Sequence, residues 1–347
     1  MEKYLIAFTA SLLISFFVTP CVKKLAVRIG AIDIPKDDRR VHNKPIPRLG
    51  GLAIYFAFVM VVLTLVPFSI KLLGMVAGAT MIVALGVVDD VKPLPAKVKL
   101  LVQIAAAIVL VVSGIKVEWV TNPFDSTDGM SYLGLLSYPV TVFWIVGVTN
   151  TLNLIDGLDG LAAGVATIAA VSLMIVSYIN GHVVVTILTA ALAGSALGFL
   201  PYNFNPAKIF MGDTGSTFLG FILAAISIEG AIKGAATLAI AIPLLALGLP
   251  IFDTTFAIIR RAVQGKPIME ADKGHLHHRL LDLGLSQKQV VFTLYIVSAF
   301  LGMGAIVITQ DNPIKTSAVV GFAIISMVFA VTQMGFEDPG HKRKLDQ

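Results

Sequence analysis

The sequence predicts an all-α, polytopic integral membrane protein with about eleven transmembrane helices. Of its 347 residues, 56% are hydrophobic and 14% are charged, and the mean hydropathy is +0.87, which excludes an ordinary soluble domain. A helix needs about 20 mostly apolar residues to cross a bilayer. Segments of this kind are centred near residues 13, 59, 79, 107, 144, 170, 191, 223, 246, 300 and 324.

The first apolar segment is interpreted as a retained transmembrane helix and not as a cleaved signal peptide. Basic residues follow it directly, at Lys23, Lys24 and Arg28, and ten further candidate spans come after them. Its single cysteine, Cys21, excludes an internal disulfide and gives no information about the redox compartment.

The distribution of basic residues predicts the orientation in the membrane. Cytoplasmic loops retain Lys and Arg, and alternate loops of this chain hold 21 of its 26 basic residues. These loops cover about residues 23–48, 89–99, 150–160, 201–214, 259–289 and 335–347, whereas the other side holds only Lys3, Lys71, Lys116, Lys233 and Lys315. We therefore expect the N-terminus outside and the C-terminus in the cytoplasm, in the cell (plasma or inner) membrane.

The chain is expected to form one integral membrane domain over residues 1–347, ending in a polar cytoplasmic tail at 336–347. Neither a repeat nor a low-complexity tract interrupts the sequence, and the outer loops are short apart from a connection near 117–132. Function is therefore expected at the cytoplasmic face. The pI of 9.2 is explained by inner loops against an anionic leaflet, so no nucleic-acid partner is predicted.

Two adjacent acids end the third predicted span, in the stretch LGVVDDVKPL. Asp89 and Asp90 lie at the negative pole of the helix dipole, where carboxylates are disfavoured. A bound cation, or a cationic or protonated group of a ligand, would compensate them. A solvated helix end is the alternative interpretation.

An amide and two carboxylates lie in NLIDGLDGLA, at the inner end of the fifth span. If the stretch is helical, Asn153, Asp156 and Asp159 share one face, because they are spaced by three residues. Gly157 and Gly160 would interrupt the helix and let a ligand approach the backbone. In the alternative interpretation, Asp156 and Asp159 cap the next helix.

A third polar stretch, FNPAKIFMGDTGSTF, precedes the eighth span. Gly212 to Ser216 is typical of a tight turn into a helix N-terminus, where backbone N–H groups can hold an anion. Asp213 is a simple N-cap in the alternative interpretation, but all three acidic clusters are expected on one membrane face. Their oxygens suit Mg²⁺, which is usually held by one or two carboxylates plus substrate phosphate oxygens. Mn²⁺ is the alternative ion.

The longest inner loop contains the histidine-rich stretch DKGHLHHRLLDLGLSQKQ. It is interpreted as a lid over phosphates, with the candidates Arg260, Arg261, His275, His277, His278 and Arg279. An ordinary basic loop is the alternative, and zinc has little support because paired ligand spacing is missing. Ser286 and Gln289 predict a capping box at the start of the next helix.

The first inner loop, RRVHNKPIPRLGG, contributes further basic candidates, of which Lys44 and Arg48 are taken as substrate-binding. In the alternative interpretation, the basic residues of this loop only set the orientation of the protein in the membrane. Acids that hold a divalent cation and bases that hold polyanions then share one membrane face. This inventory is typical of phosphoryl transfer, and a membrane enzyme is expected where one substrate is a lipid phosphate.

Several motifs, in order along the chain, resemble the polyprenyl-phosphate N-acetylhexosamine-1-phosphate transferases. They are VVDD at 87–90, KLLVQ at 99–103, NLIDGLDGLA at 153–162, FMGDTGS at 210–216, PIFDTTFAIIRR at 250–261 and HLHHRL at 275–280. The resemblance extends from about residue 4 to 335. Because the motifs recur in order and each falls on the expected inner face, the match is more specific than any single pattern.

The resemblance implies that polyprenyl phosphate attacks the β-phosphate of a UDP-sugar, with Mg²⁺, giving polyprenyl-diphosphate-sugar and UMP. It implies that Asp89 lies beside the lipid phosphate with Asp90 in support, and that Asn153 and Asp213 lie near Mg²⁺ and the diphosphate. It further implies that Phe210 stacks on uracil. The nucleotide side is implied for Asp156 and Asp159, and phosphate or sugar contacts for Lys99, Arg260, His275, His277 and His278.

The resulting candidates fall into three groups. The catalytic candidates are Asp89, Asp90, Asp156, Asp159 and His278. The substrate-binding candidates are Lys44, Arg48, Lys99, Phe210, Arg260, Arg261, His275 and His277. The metal-binding candidates are Asp213 and Asn153, and a homodimer is one open state of assembly.

The HLHHR form resembles the branch that transfers N-acetylglucosamine 1-phosphate and begins teichoic acid, O-antigen or related glycans. The branch that transfers phospho-muramoyl-pentapeptide more usually has three consecutive histidines, whereas Leu276 interrupts the run here. Another N-acetylhexosamine donor stays open. A secondary transporter is an alternative of a different class, but its acids should lie near mid-bilayer, and only Asp253 lies well inside a span. An intramembrane prenyltransferase would carry DDxxD-like runs, which the sequence after Asp90 lacks.

Overall fold

The computed structural model of the protein describes residues 1–34, 45–121, 130–231, 241–265 and 274–309, together with residues 319 and 321. Its helices are α1 (Glu2–Ile29), α2 (Gly51–Leu65), α3 (Ile70–Val91), α4 (Ala96–Val112), α5 (Ser137–Leu154), α6 (Leu161–Ile179), α7 (Val183–Asn203), α8 (Gly212–Ala231), α9 (Ala241–Ala246), α10 (Gly248–Val263), α11 (Leu276–Asp282) and α12 (Gln287–Ile308).

The helices confirm an all-α membrane protein. Across the described ranges, six helical segments are long and apolar enough to cross a membrane: Glu2–Ile29, Ile70–Val91, Gly134–Leu154, Leu161–Ile179, Val183–Asn203 and Gln287–Ile308. Helix α2 is apolar but shorter, with 15 residues. The span expected near residue 324 lies outside the described residues, so the total of eleven and the orientation stay predictions.

The segment expected to be one span near residue 246 is divided into α9 and α10. The two helices meet at Leu247, which has φ −101° and ψ 15°. Pro250 has no N–H to bond the carbonyl of residue 246, and its ring crowds that carbonyl. Gly248 has a low helix propensity and weakens the same turn. The local sequence therefore favours a break at this depth.

Two short antiparallel ribbons lie at helix ends, and the sequence patterns did not predict them. Strand β1 (Ile32–Asp33) pairs with β2 (Ile46–Pro47), with Ile32 opposite Pro47. Strand β3 (Trp119–Thr121) pairs with β4 (Met130–Tyr132), with Val120 opposite Ser131. At two or three residues each, these strands are too short for the alternation of apolar and polar residues that identifies a strand.

Successive helices from α1 to α8 run in alternating directions, so one end of the bundle gathers several chain segments. At this end α1, α3, α5 and α7 finish and α2, α4, α6 and α8 begin. The three acidic clusters of the sequence all lie here, and we call it the acidic end. The alternation confirms that the clusters meet on one side of the bundle.

Helix α7 lies in the interior of the bundle, and α1 lies on its outside. The most apolar window of α7 is 78% buried, against 28% for α1. The two helices pack closely because glycines face the α1 backbone: side chains at Gly194 and Gly198 would meet the carbonyl oxygens of Phe8 and Leu12. One side of α1 thus faces α7, and much of the other side is exposed.

Candidate active site

Asp89 lies in the last turn of α3 and accepts two bonds. The Leu94 N–H donates to Asp89 Oδ1 at 2.7 Å, and the Lys99 ammonium donates to Asp89 Oδ2 at 2.8 Å. The side chain is buried. A buried carboxylate at the negative end of a helix needs such partners, because the helix dipole and the loss of water both disfavour its charge.

Lys99 connects two of the acidic clusters. Its Nζ atom lies 2.8 Å from Asp89 Oδ2 and 2.7 Å from Asp213 Oδ2. The lysine comes from the first turn of α4, and Asp213 comes from the first turn of α8. One ammonium group thus neutralises part of the charge of two carboxylates from helices far apart in sequence. Charge-assisted bonds of this kind are among the strongest that side chains form.

Asp90 binds the N-terminus of α8. Its carboxylate accepts from the backbone N–H groups of Asp213 at 3.0 Å and Thr214 at 3.1 Å, and from the Thr214 hydroxyl at 2.6 Å. The Arg48 Nε atom donates to the same carboxylate at 3.1 Å. The sequence predicts that this helix N-terminus can hold an anion, and in the structure the anion is Asp90.

A short segment before α2 forms a second wall of the acidic end. Arg48 forms an isolated parallel bridge with Phe210. The Phe210 N–H donates to the Pro47 carbonyl at 2.8 Å, and the Gly50 N–H donates to the Phe210 carbonyl at 2.9 Å. The half-buried Phe210 is therefore fixed through its backbone beside Arg48. Lys44, the other candidate of this loop, lies outside the described residues.

Asn153 lies against Asp213 at the end of α5. Its Nδ2 atom donates to Asp213 Oδ1 at 3.3 Å and to the Ser216 hydroxyl at 2.8 Å. One turn deeper, the amides of Gln103 and Asn150 bond each other, with Asn150 Nδ2 donating to Gln103 Oε1 at 2.7 Å. This amide pair joins α4 to α5 and fixes the helices that present Lys99 and Asn153.

The stretch after Asn153 is not the helical face that its spacing suggested. Helix α5 ends at Leu154, and residues 155–160 form turns. The capping alternative is also wrong, because α6 has Gly160 at its N-cap position, with φ 79° and no side-chain cap bond. The two glycines interrupt the helix as predicted, because Gly160 adopts a left-handed conformation that other residues disfavour.

Asp159 holds the connection between α7 and α8. Its Oδ2 atom accepts from the Asn205 side-chain amide at 3.0 Å and from the Ala207 N–H at 2.9 Å. The carboxylate therefore shapes the segment that leads to Phe210 and Asp213. This contact brings the second and third sequence clusters together.

Asp156 lies on the same turn and is affected by the surrounding charge. Part of its side chain reaches solvent, yet burial of the carboxyl group, followed by the charges of Asp213 and Asp90, raises its pKa to about 8. Like charges within a few ångströms oppose ionisation. The acidic end thus carries more negative charge than Arg48 and Lys99 neutralise. An added cation would reduce the repulsion among its carboxylates.

The histidine-rich loop is anchored to α10. Asp253 Oδ2 lies 2.9 Å from His275 Nδ1, and Asp253 Oδ1 accepts from the Leu276 N–H at 2.7 Å. Arg260 donates to the Gly274 carbonyl at 2.7 Å. Arg260 is buried, as is Arg261 beside it on α10. The structure thus places Arg260 against the backbone of the histidine-rich loop.

His277 projects from this loop onto the turn at 155–160. A side chain at Gly157 would collide with the imidazole, so this glycine is needed for the approach. His277 is buried, and within the described residues neither of its ring nitrogens has a hydrogen-bond partner. Burial, together with the neighbouring His278 ring at 4.2 Å, lowers the pKa of His277 to about 3. It is therefore a neutral imidazole available to a ligand group.

Asp213 and Asn153 are the residues that could hold a metal ion. Their carboxylate and amide oxygens are the hard ligands that Mg²⁺ prefers, and the excess negative charge around Asp156 fits a divalent cation. Among the described residues, no three His, Cys, Asp or Glu side chains form a metal-holding group. The donor set thus fits an ion that takes its remaining ligands from phosphate oxygens and water.

Two contributors to the site were missed by sequence reasoning. Asp253 was noted as an acid inside a span and within the motif PIFDTTFAIIRR but was given no role, although an isolated acid in a span is itself a signal of function. The Gln103–Asn150 pair had a weaker signal, because a single amide in an apolar helix does not identify its partner. The remaining candidate, His278, is half-buried at the loop surface beside His277.

Comparisons with known proteins identify relatives over most of the chain. The sequence profile of glycosyl transferase family 4 matches residues 72–231. A protein of Bacillus subtilis (strain 168), named a probable undecaprenyl-phosphate N-acetylglucosaminyl 1-phosphate transferase, is 45% identical over 309 residues, which are 89% of this chain and 86% of the relative. A decaprenyl-phosphate N-acetylglucosaminephosphotransferase of Mycolicibacterium smegmatis is 35% identical over 93% of this chain and 86% of the relative. An undecaprenyl-phosphate alpha-N-acetylglucosaminyl 1-phosphate transferase of Thermotoga maritima is 33% identical over 77% and 78%.

Proposed function

Because the chain belongs to glycosyl transferase family 4 and is a membrane phosphotransferase, we propose that it transfers N-acetylglucosamine 1-phosphate from UDP-N-acetylglucosamine to a polyprenyl phosphate. The products are polyprenyl-diphosphate-N-acetylglucosamine and UMP. The acceptor and the transferred group follow the names of the relatives, and the UDP donor follows the motif resemblance. The enzyme class sets aside the transporter and leaves the phospho-muramoyl-pentapeptide donor, or another UDP-N-acetylhexosamine, as the alternative.

One observation carries the proposal: the ammonium group of Lys99 binds both Asp89 and Asp213, and Asp213 in turn contacts Asn153 and Asp90, so several helix ends meet at one place. Transfer between two phosphates requires that two polyanions approach each other. An arrangement of fixed cations and metal-binding oxygens reduces that repulsion and stabilises the charge that develops on the transferred phosphoryl group. We place this end at the cytoplasmic face, in agreement with the distribution of Lys and Arg.

The reaction is a displacement at phosphorus. An oxygen of the polyprenyl phosphate forms a bond to the β-phosphorus, and the bond from that phosphorus to the bridging oxygen of UMP breaks. A phosphate monoester has a second pKa of about 6 and is largely ionised at neutral pH, so a strong base is not required. Asp89, already paired with Lys99 and the Leu94 N–H, acts as an orienting group for the acceptor.

Mg²⁺, held by Asp213 and Asn153 when bound, supplies charge neutralisation at the diphosphate. Lys99 adds a second positive charge and keeps Asp89 and Asp213 at a fixed separation. Asp156, Asp159 and Phe210 form the nucleotide side of the site. His277 and His278 extend from the loop toward the sugar phosphate and exclude water from it.

Release of UMP tests the proposed reaction. Purified protein with undecaprenyl phosphate and Mg²⁺ should release UMP from UDP-N-acetylglucosamine, and EDTA should stop the release because metal ligation would be lost. With UDP-N-acetylmuramoyl-pentapeptide as the donor, no release is expected. Release from the second donor alone would keep the chemistry and overturn the sugar, whereas metal-independent release would remove Mg²⁺ from the proposal.

Replacing His278 by alanine is expected to lower turnover by about 10- to 100-fold, because a hydrogen bond to a charged phosphate is worth about 1.5–3 kcal/mol. The half-buried ring lies at the loop surface, so the variant should insert and fold. UMP release, with gel filtration in detergent as the folding measurement, checks this result. An unchanged rate would show that the loop is an ordinary basic loop.

Replacing Asp253 by asparagine is expected to lower turnover by about tenfold or more, although the residue touches no substrate. The charge of Asp253 fixes His275, and its loss weakens a charge-assisted bond in a buried setting. His275→Gln in the same assay should give a similar loss, and the double variant should lose little more, because both changes break one contact. Fully additive losses would contradict a positioning role for Asp253.

A further inference from the structure

A second feature of the acidic end lies on the outside of the bundle. A cavity of about 600 Å³ opens between the end of α1 and the connection from α7 to α8. Its lining includes Lys23, Lys24 and Arg28 of α1 and Lys208 of the connection, together with Pro20 and Tyr202. All of its charged lining residues are cations. We call it the basic pocket.

The charges of the basic pocket are not compensated by the protein that surrounds them. Within the described ranges, none of its four basic side chains forms an ion pair or a side-chain hydrogen bond. Arg48 and Lys99, by contrast, both bind carboxylates. Cations held together without counter-charges repel one another, and an anion that enters between them is attracted by all of them. The pocket therefore combines a largely apolar lining with uncompensated positive charge, which suits an amphipathic anion.

The position of the pocket indicates that this ligand comes from the membrane. Among the six described segments that are long and apolar enough to cross a membrane, α1 is the least enclosed, with 28% of its most apolar window buried. Beside the cations, Leu25, Val27 and Ile29 expose 42%, 53% and 41% of their surface. A phosphate among the cations would thus have exposed apolar side chains next to it, on which acyl chains can lie. Basic pockets between helices at a cytoplasmic surface are suited to anionic lipid headgroups.

The basic pocket is separate from the candidate active site. None of its lining residues is one of the acids of the candidate active site, and its cations lie on α1 and the connection. The two regions nevertheless share one segment. The Lys208 N–H donates to the Tyr202 carbonyl at 2.8 Å, and the adjacent Ala207 N–H donates to Asp159 at 2.9 Å. Lys208 thus lines the basic pocket, while the adjacent Ala207 binds Asp159 of the candidate active site.

We propose that the basic pocket binds the phosphodiester headgroup of an anionic phospholipid, with the acyl chains along the exposed side of α1. Lys23, Lys24, Arg28 and Lys208 supply the charge, and Tyr202 supplies a phenol beside them. The lipid is a bound component and not a substrate, because the groups suited to phosphoryl transfer lie at Lys99 and Asp213. This inference does not depend on which sugar the enzyme transfers.

Binding of phosphatidylglycerol to the delipidated, full-length protein in detergent tests the proposal. Native mass spectrometry at fixed salt should show phosphatidylglycerol binding and much weaker binding of phosphatidylcholine with the same chains. Lys24→Gln combined with Lys208→Gln should weaken phosphatidylglycerol binding by about tenfold or more, because each basic group near the anionic headgroup adds to the binding free energy. The matched variant Lys288→Gln removes an exposed positive charge at the start of α12 and should leave binding within about twofold.

Several results would overturn the proposal. These are equal phosphatidylglycerol binding by the wild type and the double variant, an equal loss with Lys288→Gln, binding of phosphatidylcholine as tight as that of phosphatidylglycerol, and displacement of the lipid by inorganic phosphate at equal concentration. A second ligand, undecaprenyl phosphate, is tested in the same way. If it displaces phosphatidylglycerol and its own binding falls equally in the double variant, the pocket holds the acceptor substrate and the proposal is wrong. The double variant Lys24→Arg, Lys208→Arg keeps both positive charges and should bind phosphatidylglycerol as the wild type does. This result distinguishes loss of charge from misfolding.

Discussion

Replacing Asp213 by asparagine is expected to reduce turnover by about 10³-fold or more while leaving the protein folded. The carboxylate binds Lys99 through Oδ2 and Asn153 through Oδ1, and it is the acid best placed to hold Mg²⁺. Metal-assisted neutralisation of a transferring phosphoryl group is worth several kcal/mol, and each 1.36 kcal/mol is tenfold in rate. Asparagine keeps the shape and one oxygen but removes the negative charge.

The measurement is UMP release at saturating donor, with a titration of Mg²⁺ for the variant and the wild type. A variant that regains activity at high Mg²⁺ would show weakened ligation, and one that does not would show that the charge itself is required. Glu118→Gln is the matched control, because it removes one carboxylate charge beside β3, away from the acidic end. Normal turnover by Asp213→Asn at low Mg²⁺ would remove Asp213 from the metal site.

Replacing Asp90 by alanine is expected to lower the thermal unfolding midpoint by several degrees and to abolish turnover as well. The change leaves two backbone N–H groups, the Thr214 hydroxyl and Arg48 without their shared acceptor in a buried place. Removing one partner of a buried charge pair costs about 3–5 kcal/mol, because the other charge stays uncompensated. The start of α8, which presents Asp213, would then lose its anchor.

Unfolding in detergent, followed by the fluorescence of Trp119 and Trp144, checks this result. Asp90→Asn provides the graded comparison, because an amide oxygen can still accept from the α8 N-terminus but attracts Arg48 less strongly. We expect its midpoint between those of the wild type and Asp90→Ala. An Asp90→Ala protein as stable as the wild type would show that the α8 N-terminus has another acceptor.

The sequence identified several of the polar residues that meet at the acidic end. Burial of a carboxylate at the end of an apolar helix is unfavourable without a partner, so Asp89, Asp90 and Asp213 were identifiable one by one. The local signals at Gly212 and Ser286 also predicted helix starts correctly, and the structure confirms the capping box between Ser286 and Gln289. These features depend on near neighbours in the chain.

The pairing of these residues could not be read from the sequence. Lys99 bonds Asp213 across 114 positions, and Asp253 bonds His275 across 22. Periodicity identifies faces and ends of helices but contains no information about which helices meet. The helical interpretation of Asp156 and Asp159 failed for a different reason, since spacing by three residues is equally compatible with turns once glycines intervene.

The bond between Asp90 and Thr214 also bears on how the chain is made. The two residues are 124 positions apart, and chains grow at about 5–20 residues per second. Asp90 thus leaves the ribosome about 6 to 25 s before the N–H groups that it will bind. Arg48 precedes Asp90 in the chain, whereas the loop with His275 emerges after α8. Completion of the site therefore requires α8, and after it the histidine-rich loop, to dock against helices that have already been synthesised.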